Sequence, residues 1–64
     1  MYIIEDWAGN LCDDGNEFES FEEARARIDD LATIECNNNF KPDTKEWEEL
    51  YQALQEDLYA IEVK

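Results

Sequence analysis

The chain predicts an α+β fold: a small two-layer domain in the order β-(β)-α-α-β, with two helices packed on a short antiparallel sheet. Three observations lead there. Both ends of the chain are rich in β-branched and aromatic residues, two helix-capping signals lie between them, and an apolar repeat of three and four residues follows each cap. Sixty-four residues make one domain, 1–64, and exclude a two-domain enzyme or a transmembrane bundle. A domain of this size buries only about 60% of its unfolded surface, so large side chains must carry the core. Two Trp, three Tyr and three Phe are available for that.

Met1-Tyr2-Ile3-Ile4-Glu5-Asp6-Trp7 reads as a strand that stops at Ala8-Gly9-Asn10, where Gly and Asn tolerate a positive φ. Leu11-Cys12 offers a short return strand before the loop chemistry of Asp13-Asp14-Gly15-Asn16, and Phe18 is placed to anchor that connection to the core. Ser20-Phe21-Glu22-Glu23 fits a capping box, with Ser20 accepting from the N–H three residues on and Glu23 reaching back. The helix that follows carries Phe21, Ala24, Ile28, Leu31 and Ala32 on one stripe and is expected to end near Cys36, stopped by Asn37-Asn38-Asn39.

Phe40 is expected to tuck under the next connection. Lys41-Pro42 leads to a second box, Asp43-Thr44-Lys45-Glu46, with Asp43 as the cap. Its helix presents Trp47, Leu50, Tyr51, Leu54 and Leu58 on one face. From Leu58 to Val63 the period changes to two, with Tyr59, Ile61 and Val63 on one side, which reads as a closing strand paired with the first. The expected core is Phe21, Ile28, Leu31, Trp47, Leu50, Tyr51, Leu54 and Ile61.

Charge narrows the function. Five Lys and Arg against 18 Asp and Glu, with no His, give a net charge of -13. Such a surface repels bare nucleic acid and anionic membranes, so neither is an expected partner. With neither a signal peptide nor a long apolar run, the chain reads as cytoplasmic. Cys12 and Cys36 are then expected as free thiols, with a disulfide as the alternative.

Catalysis finds little support. Without His there is no Ser-His or Cys-His pair, and Ser20 is accounted for as a helix cap. Paired carboxylates need a cleft that desolvates one of them, which a domain this small rarely offers. Asp13-Asp14-Gly15-Asn16-Glu17 resembles a calcium loop, but setting Gly15 at the sixth position puts Phe21 where a bidentate Glu must stand, and the motif fails. Two cysteines without His make a poor zinc set, and Gly9 and Gly15 form no phosphate loop. No cofactor is expected, and the protein is read as a non-enzyme.

The acids remain. Solubility alone is their plainest explanation. Yet five cations leave most of them unpaired, even with Arg25 set near Glu22 and Asp29, Arg27 near Glu23, and Lys45 near Glu48 and Glu49 at helical spacing. The unpaired ones cluster: Asp13, Asp14, Glu17, Glu19, Glu22 and Glu23 lead into the first helix, and Glu46, Glu48, Glu49, Glu56 and Asp57 populate the second. A sphere with a radius of gyration of about 11 Å is about 28 Å across, a length over which duplex DNA carries roughly 16 charges.

In size and charge the whole chain resembles the small acidic DNA-mimic inhibitors of phages and mobile elements, of the anti-CRISPR and antirestriction type. Locally, Ile3-Ile4-Glu5-Asp6-Trp7-Ala8-Gly9-Asn10 and Phe18-Glu19-Ser20-Phe21-Glu22-Glu23-Ala24 look like the opening of small phage proteins. The resemblance implies stoichiometric inhibition of a basic nucleic-acid-binding protein, such as a Cas effector or restriction enzyme, in the cytoplasm of an infected bacterial host. These families share no motif, so the eleven acids are nominated for partner binding by charge alone. The alternative is a non-catalytic interaction or adaptor module that uses an apolar patch near Trp7 and Tyr2.

Overall fold

A computed structural model of the chain describes residues 1–63. Strand β1 (Tyr2–Asp6) is followed by a turn and a single 3-10 turn at Asp13–Gly15. Helix α1 (Phe21–Asn39), helix α2 (Lys45–Asp57) and strand β2 (Leu58–Glu62) complete the α+β domain.

The two strands pair antiparallel, with Tyr2 opposite Glu62, Ile4 opposite Ala60 and Asp6 opposite Leu58. Side chains alternate across such a pair, so Tyr2, Ile4, Leu58 and Ala60 share one face, while Ile3, Glu5, Tyr59 and Ile61 share the other. Ile4 is fully buried and Tyr2 meets Phe21 of α1 edge to face at 5.9 Å, so the first of these faces is the one α1 covers. The expected return strand shrinks to single bridges on the far edge of β1, Leu11 with Glu5 and Phe18 with Tyr2. Phe18 does anchor the connection, by exchanging backbone hydrogen bonds of 2.7 and 2.8 Å with Tyr2.

Helix α1 is the spine. Ser20 caps it as expected, its hydroxyl accepting from the Glu23 N–H at 3.1 Å while a Glu23 carboxylate oxygen accepts from the Glu19 N–H. Ala24, Ile28, Ala32 and Cys36 form a strict four-residue stripe and are all fully buried. The first turn of α1 meets the sheet, and α2 packs along the helix from Arg25 to Asn37. Gln55 meets Arg25 and Asp29, while Trp47 Nε1 donates to Asn37 at 2.9 Å, so α2 runs antiparallel to α1.

Several expectations are corrected. Asn37, Asn38 and Asn39 lie inside α1, because Asn37 accepts from Trp47 and Asn39 donates to the Glu35 carbonyl at 2.8 Å, so two of these weak helix formers gain partners there. Phe40 is the C-cap and is exposed. Thr44, not Asp43, caps α2, its hydroxyl accepting from the Trp47 N–H at 3.3 Å, while Asp43 takes a φ of 67° in the preceding turn.

Within the expected core, Ile28 is fully buried, whereas Leu31, Trp47, Leu50, Tyr51 and Leu54 are half-buried. Phe21 and Ile61 are exposed. Phe21 sits at the first turn of α1, edge to face with Tyr2. The burial of β2 falls on Leu58 and Ala60, so its Tyr59 and Ile61 face solvent.

Candidate acidic interface

The nominated acids are strung along a rod rather than gathered in one patch. The molecule measures 40 × 21 × 17 Å with a radius of gyration of 12.1 Å, longer and thinner than the sphere its length suggested. Glu17, Glu19, Glu22 and Glu23 lie at the sheet end, around the start of α1. Glu46, Glu48 and Glu49 occupy the start of α2, which the antiparallel packing carries toward the other end, and Glu56 and Asp57 stand at the junction of α2 with β2. All nine are exposed, as is Asp14.

Asp13 departs from the set. Its two oxygens accept from Arg27 Nε and Nη2, each at 3.0 Å, and its side chain is only 9% exposed. The Arg27 guanidinium holds the Asp13 carboxyl below the usual range despite this burial. Asp13 and Asp14 adopt φ values of 53° and 54°, a left-handed turn that Asp tolerates and that delivers Asp13 to α1. This carboxylate clasps the loop to the helix and is removed from the free array.

Of the other pairings, that of Arg25 departs from the helical-neighbour expectation and that of Lys45 matches it. Arg25 donates to Gln55 at 2.8 Å, and Lys45 approaches Glu49 at 3.9 Å, both of them exposed. An exposed pair of this kind contributes about 0 to 1 kcal/mol and neutralises little. Asp29, Asp30 and Glu35 extend the array along the exposed side of α1. Their signal was present in the sequence, since all three fall off the Ala24-Ile28-Ala32-Cys36 stripe.

Near the end of β1, Asp6 closes the turn. Its Oδ1 accepts from the Asn10 and Ala8 N–H groups, each at 2.9 Å. The Asn10 backbone donation, helped by the Asn10 side chain and Ala8, lowers the Asp6 pKa against a smaller opposing effect of burial. Both cysteines are free. Burial pushes both thiols up, with Asp6 the next cause at Cys12 and Glu35 at Cys36. Neither is thus set up as a nucleophile.

Among the described residues there is no pocket and no group of three or more His, Cys, Asp or Glu placed to hold a metal ion. No helix among them is long and apolar enough to cross a membrane. Comparison of the chain with protein-family models, with curated proteins and with solved structures finds no match. What the described residues present is an anionic surface.

The rod revises the charge arithmetic. Duplex DNA of 40 Å carries roughly 24 charges, so a net -13 over that length is about half of it. One net charge per about 3 Å is close to the 3.4 Å spacing of phosphates along a single strand.

Proposed function

We propose that this protein is a non-catalytic inhibitor that imitates the charge of a nucleic-acid strand and occupies the basic groove of a nucleic-acid-binding protein. A CRISPR effector or a restriction enzyme in the cytoplasm of a phage-infected bacterium is the partner class this reading names. One observation carries it: exposed carboxylates run along a 40 Å rod whose net charge has the linear density of a phosphate strand, with five cations against 18 acids. Helices hold most of these carboxylates, and a pre-organised array loses less entropy on docking than a flexible acidic tail would. Acids at the first turns of α1 and α2 also favour their helix dipoles, which explains Glu22, Glu23, Glu46 and Glu48 locally but not the acids further along.

The test is competition. The protein should displace a labelled oligonucleotide from its target, and the displacement should weaken steeply with ionic strength. Single Ala replacements should each cost about 0 to 1 kcal/mol of binding. Reversal of Glu46, Glu48 and Glu49 to Lys should abolish displacement while circular dichroism stays unchanged. A triple reversal that competes as well as the parent removes α2 from the interface and leaves the second reading.

That second reading is an interaction module centred on Trp7, favoured by the 72% exposure of this indole in the turn after β1. Apolar docking through it would be nearly indifferent to salt, and Trp7→Ala would remove it.

A further inference from the structure

The two edges of the sheet differ. Along β1, Tyr2 exchanges backbone hydrogen bonds with Phe18, Ile4 accepts from the Cys12 N–H at 2.8 Å, and Asp6 donates to the Asn10 carbonyl at 2.9 Å. The even-numbered residues of β1 thus turn their backbone outward, and the 10–18 segment satisfies them. In an antiparallel pair, rows that bond each other alternate with rows that bond outward. Val63 donates its N–H to the Met1 carbonyl at 2.9 Å, which fixes Met1 with Val63, Ile3 with Ile61 and Glu5 with Tyr59 as the mutually bonded rows. Leu58, Ala60 and Glu62 therefore turn their N–H and C=O groups away from β1. The Leu54 carbonyl takes the Leu58 N–H. The N–H groups of Ala60 and Glu62 and the carbonyls of all three have no backbone partner among the described residues.

An edge of this kind templates pairing with another strand and is ordinarily blunted by Lys, Pro, a bulge or a covering segment. β2 contains neither Lys nor Pro and runs in unbroken register against β1. Its outer-face side chains Tyr59 and Ile61 stay 47% and 38% exposed. Acid is what stands at this edge. Residues 56–62 include Glu56, Asp57 and Glu62, all exposed, and no Lys or Arg.

We propose that the open edge of β2 takes up an extended basic segment of another protein as a third strand. Main-chain bonds to Ala60 and Glu62 give the affinity, and alternate side chains give the specificity. In antiparallel register the incoming strand sets Lys or Arg beside Glu62 and beside Asp57, with apolar residues between them next to Ile61 and Tyr59. Charge selects this occupant over a second copy of the chain. Pairing β2 with itself about Ala60 would bring the Glu62 end of each copy against the Glu56-Asp57 end of the other, acid against acid. The proposal does not rest on the mimicry reading, since Glu46, Glu48 and Glu49 of α2 lie outside this edge.

The probe is a capped synthetic peptide, Lys-Val-Thr-Val-Thr-Lys, added in the millimolar range to the isotope-labelled protein at about 0.15 M ionic strength, with amide hydrogen exchange read by NMR. Exchange at Ala60 and Glu62 should slow severalfold, while Ile61 and Val63, already bonded to β1, change little. Replacing both Lys of the peptide by Glu should abolish the protection, because like charges then meet. N-methylation of its two Thr amides, which face the edge, should abolish it as well. Ala60→Pro removes an N–H that β1 does not use and should lose binding with the fold kept by circular dichroism, and the N-methylated peptide makes the same test on the parent chain. Reversal of Glu46, Glu48 and Glu49 to Lys should leave the protection in place, so this proposal and the mimicry reading fail separately. An N-methylated peptide that protects as well as the parent peptide overturns the proposal, because the contact would then be charge alone. Absence of any protection at Ala60 and Glu62 also overturns it, as does a dimer of the protein alone that already protects them.

Discussion

The two helices face each other across one interface, yet they are buried to different depths. Every residue of the α1 stripe, Ala24, Ile28, Ala32 and Cys36, is completely enclosed, whereas α2 contains no buried residue at all. Read from sequence, α2 has the cleaner amphipathic pattern, with Trp47, Leu50, Tyr51 and Leu54 against a charged opposite side. An apolar stripe tells which side of a helix turns inward but not how far. Depth depends on how many neighbours flank the element: α1 has the sheet and α2 packed on it, while α2 has chiefly α1 and a stacked pair of its own, Trp47 on Tyr51 at 5.2 Å.

The largest effect should come from breaking this difference directly. Ile28→Ala empties space on the enclosed stripe and should cost about 2 to 5 kcal/mol, enough to unfold much of a domain this small. Leu54→Ala on α2 removes a half-buried side chain and should cost about 1 kcal/mol. Urea titrations of the two variants check it, and equal losses would mean that α2 is as deeply enclosed as α1.

Acid sharpens the comparison next, because α1 alone holds a loop by a carboxylate clasp. Asp13 and Asp6 both titrate below their unfolded values, so their stabilisation is fully present above the unfolded pKa of about 3.9 and is lost as pH falls through the lower folded value. Added salt acts separately, by screening the self-repulsion of the acidic surface. The melting temperature should therefore rise with salt at neutral pH and fall as the pH drops below about 4. In Asp13→Asn the fall at low pH should be shallower, with a lower starting stability. A midpoint that drops when salt is added at neutral pH would contradict the repulsion argument.

The smallest effects sit at the start of α2. Thr44→Ala removes its cap and should cost about 1 kcal/mol. Asp43→Gly relieves a left-handed residue and should gain up to about 1 kcal/mol. Opposite signs at adjacent positions, read from thermal melts, would locate the cap at Thr44. A loss at Asp43 as large as that at Thr44 would return it to Asp43.

Much of the candidate interface was legible in the sequence, because charge unbalanced by cations must lie at the surface wherever the chain folds. The exception is Asp13, whose partner Arg27 is fourteen residues away and comes within reach only when the loop folds back on α1. The nearer acid Glu23 instead serves the Ser20 cap and never meets Arg27 among the described contacts.

The sequence by itself determined the elements and their order. Ser20 and Glu23 start α1, the four-residue repeat from Ala24 to Cys36 sets its inner side, and the change to period two at Leu58 marks β2. These are local matters of capping, helical pitch and strand pleat, decided within a few residues. The inward face of β2 was a tertiary decision. Both of its faces are apolar, and the larger side chains, Tyr59 and Ile61, suggested the wrong one. In the fold, the Leu58 N–H still donates to the Leu54 carbonyl, so α2 passes into β2 without a linker and its phase is fixed. Ala60 then lies opposite the buried Ile4 on the side of α1, whose small Ala24 is also enclosed, and a close helix-to-sheet approach accepts Ala where it would exclude Tyr.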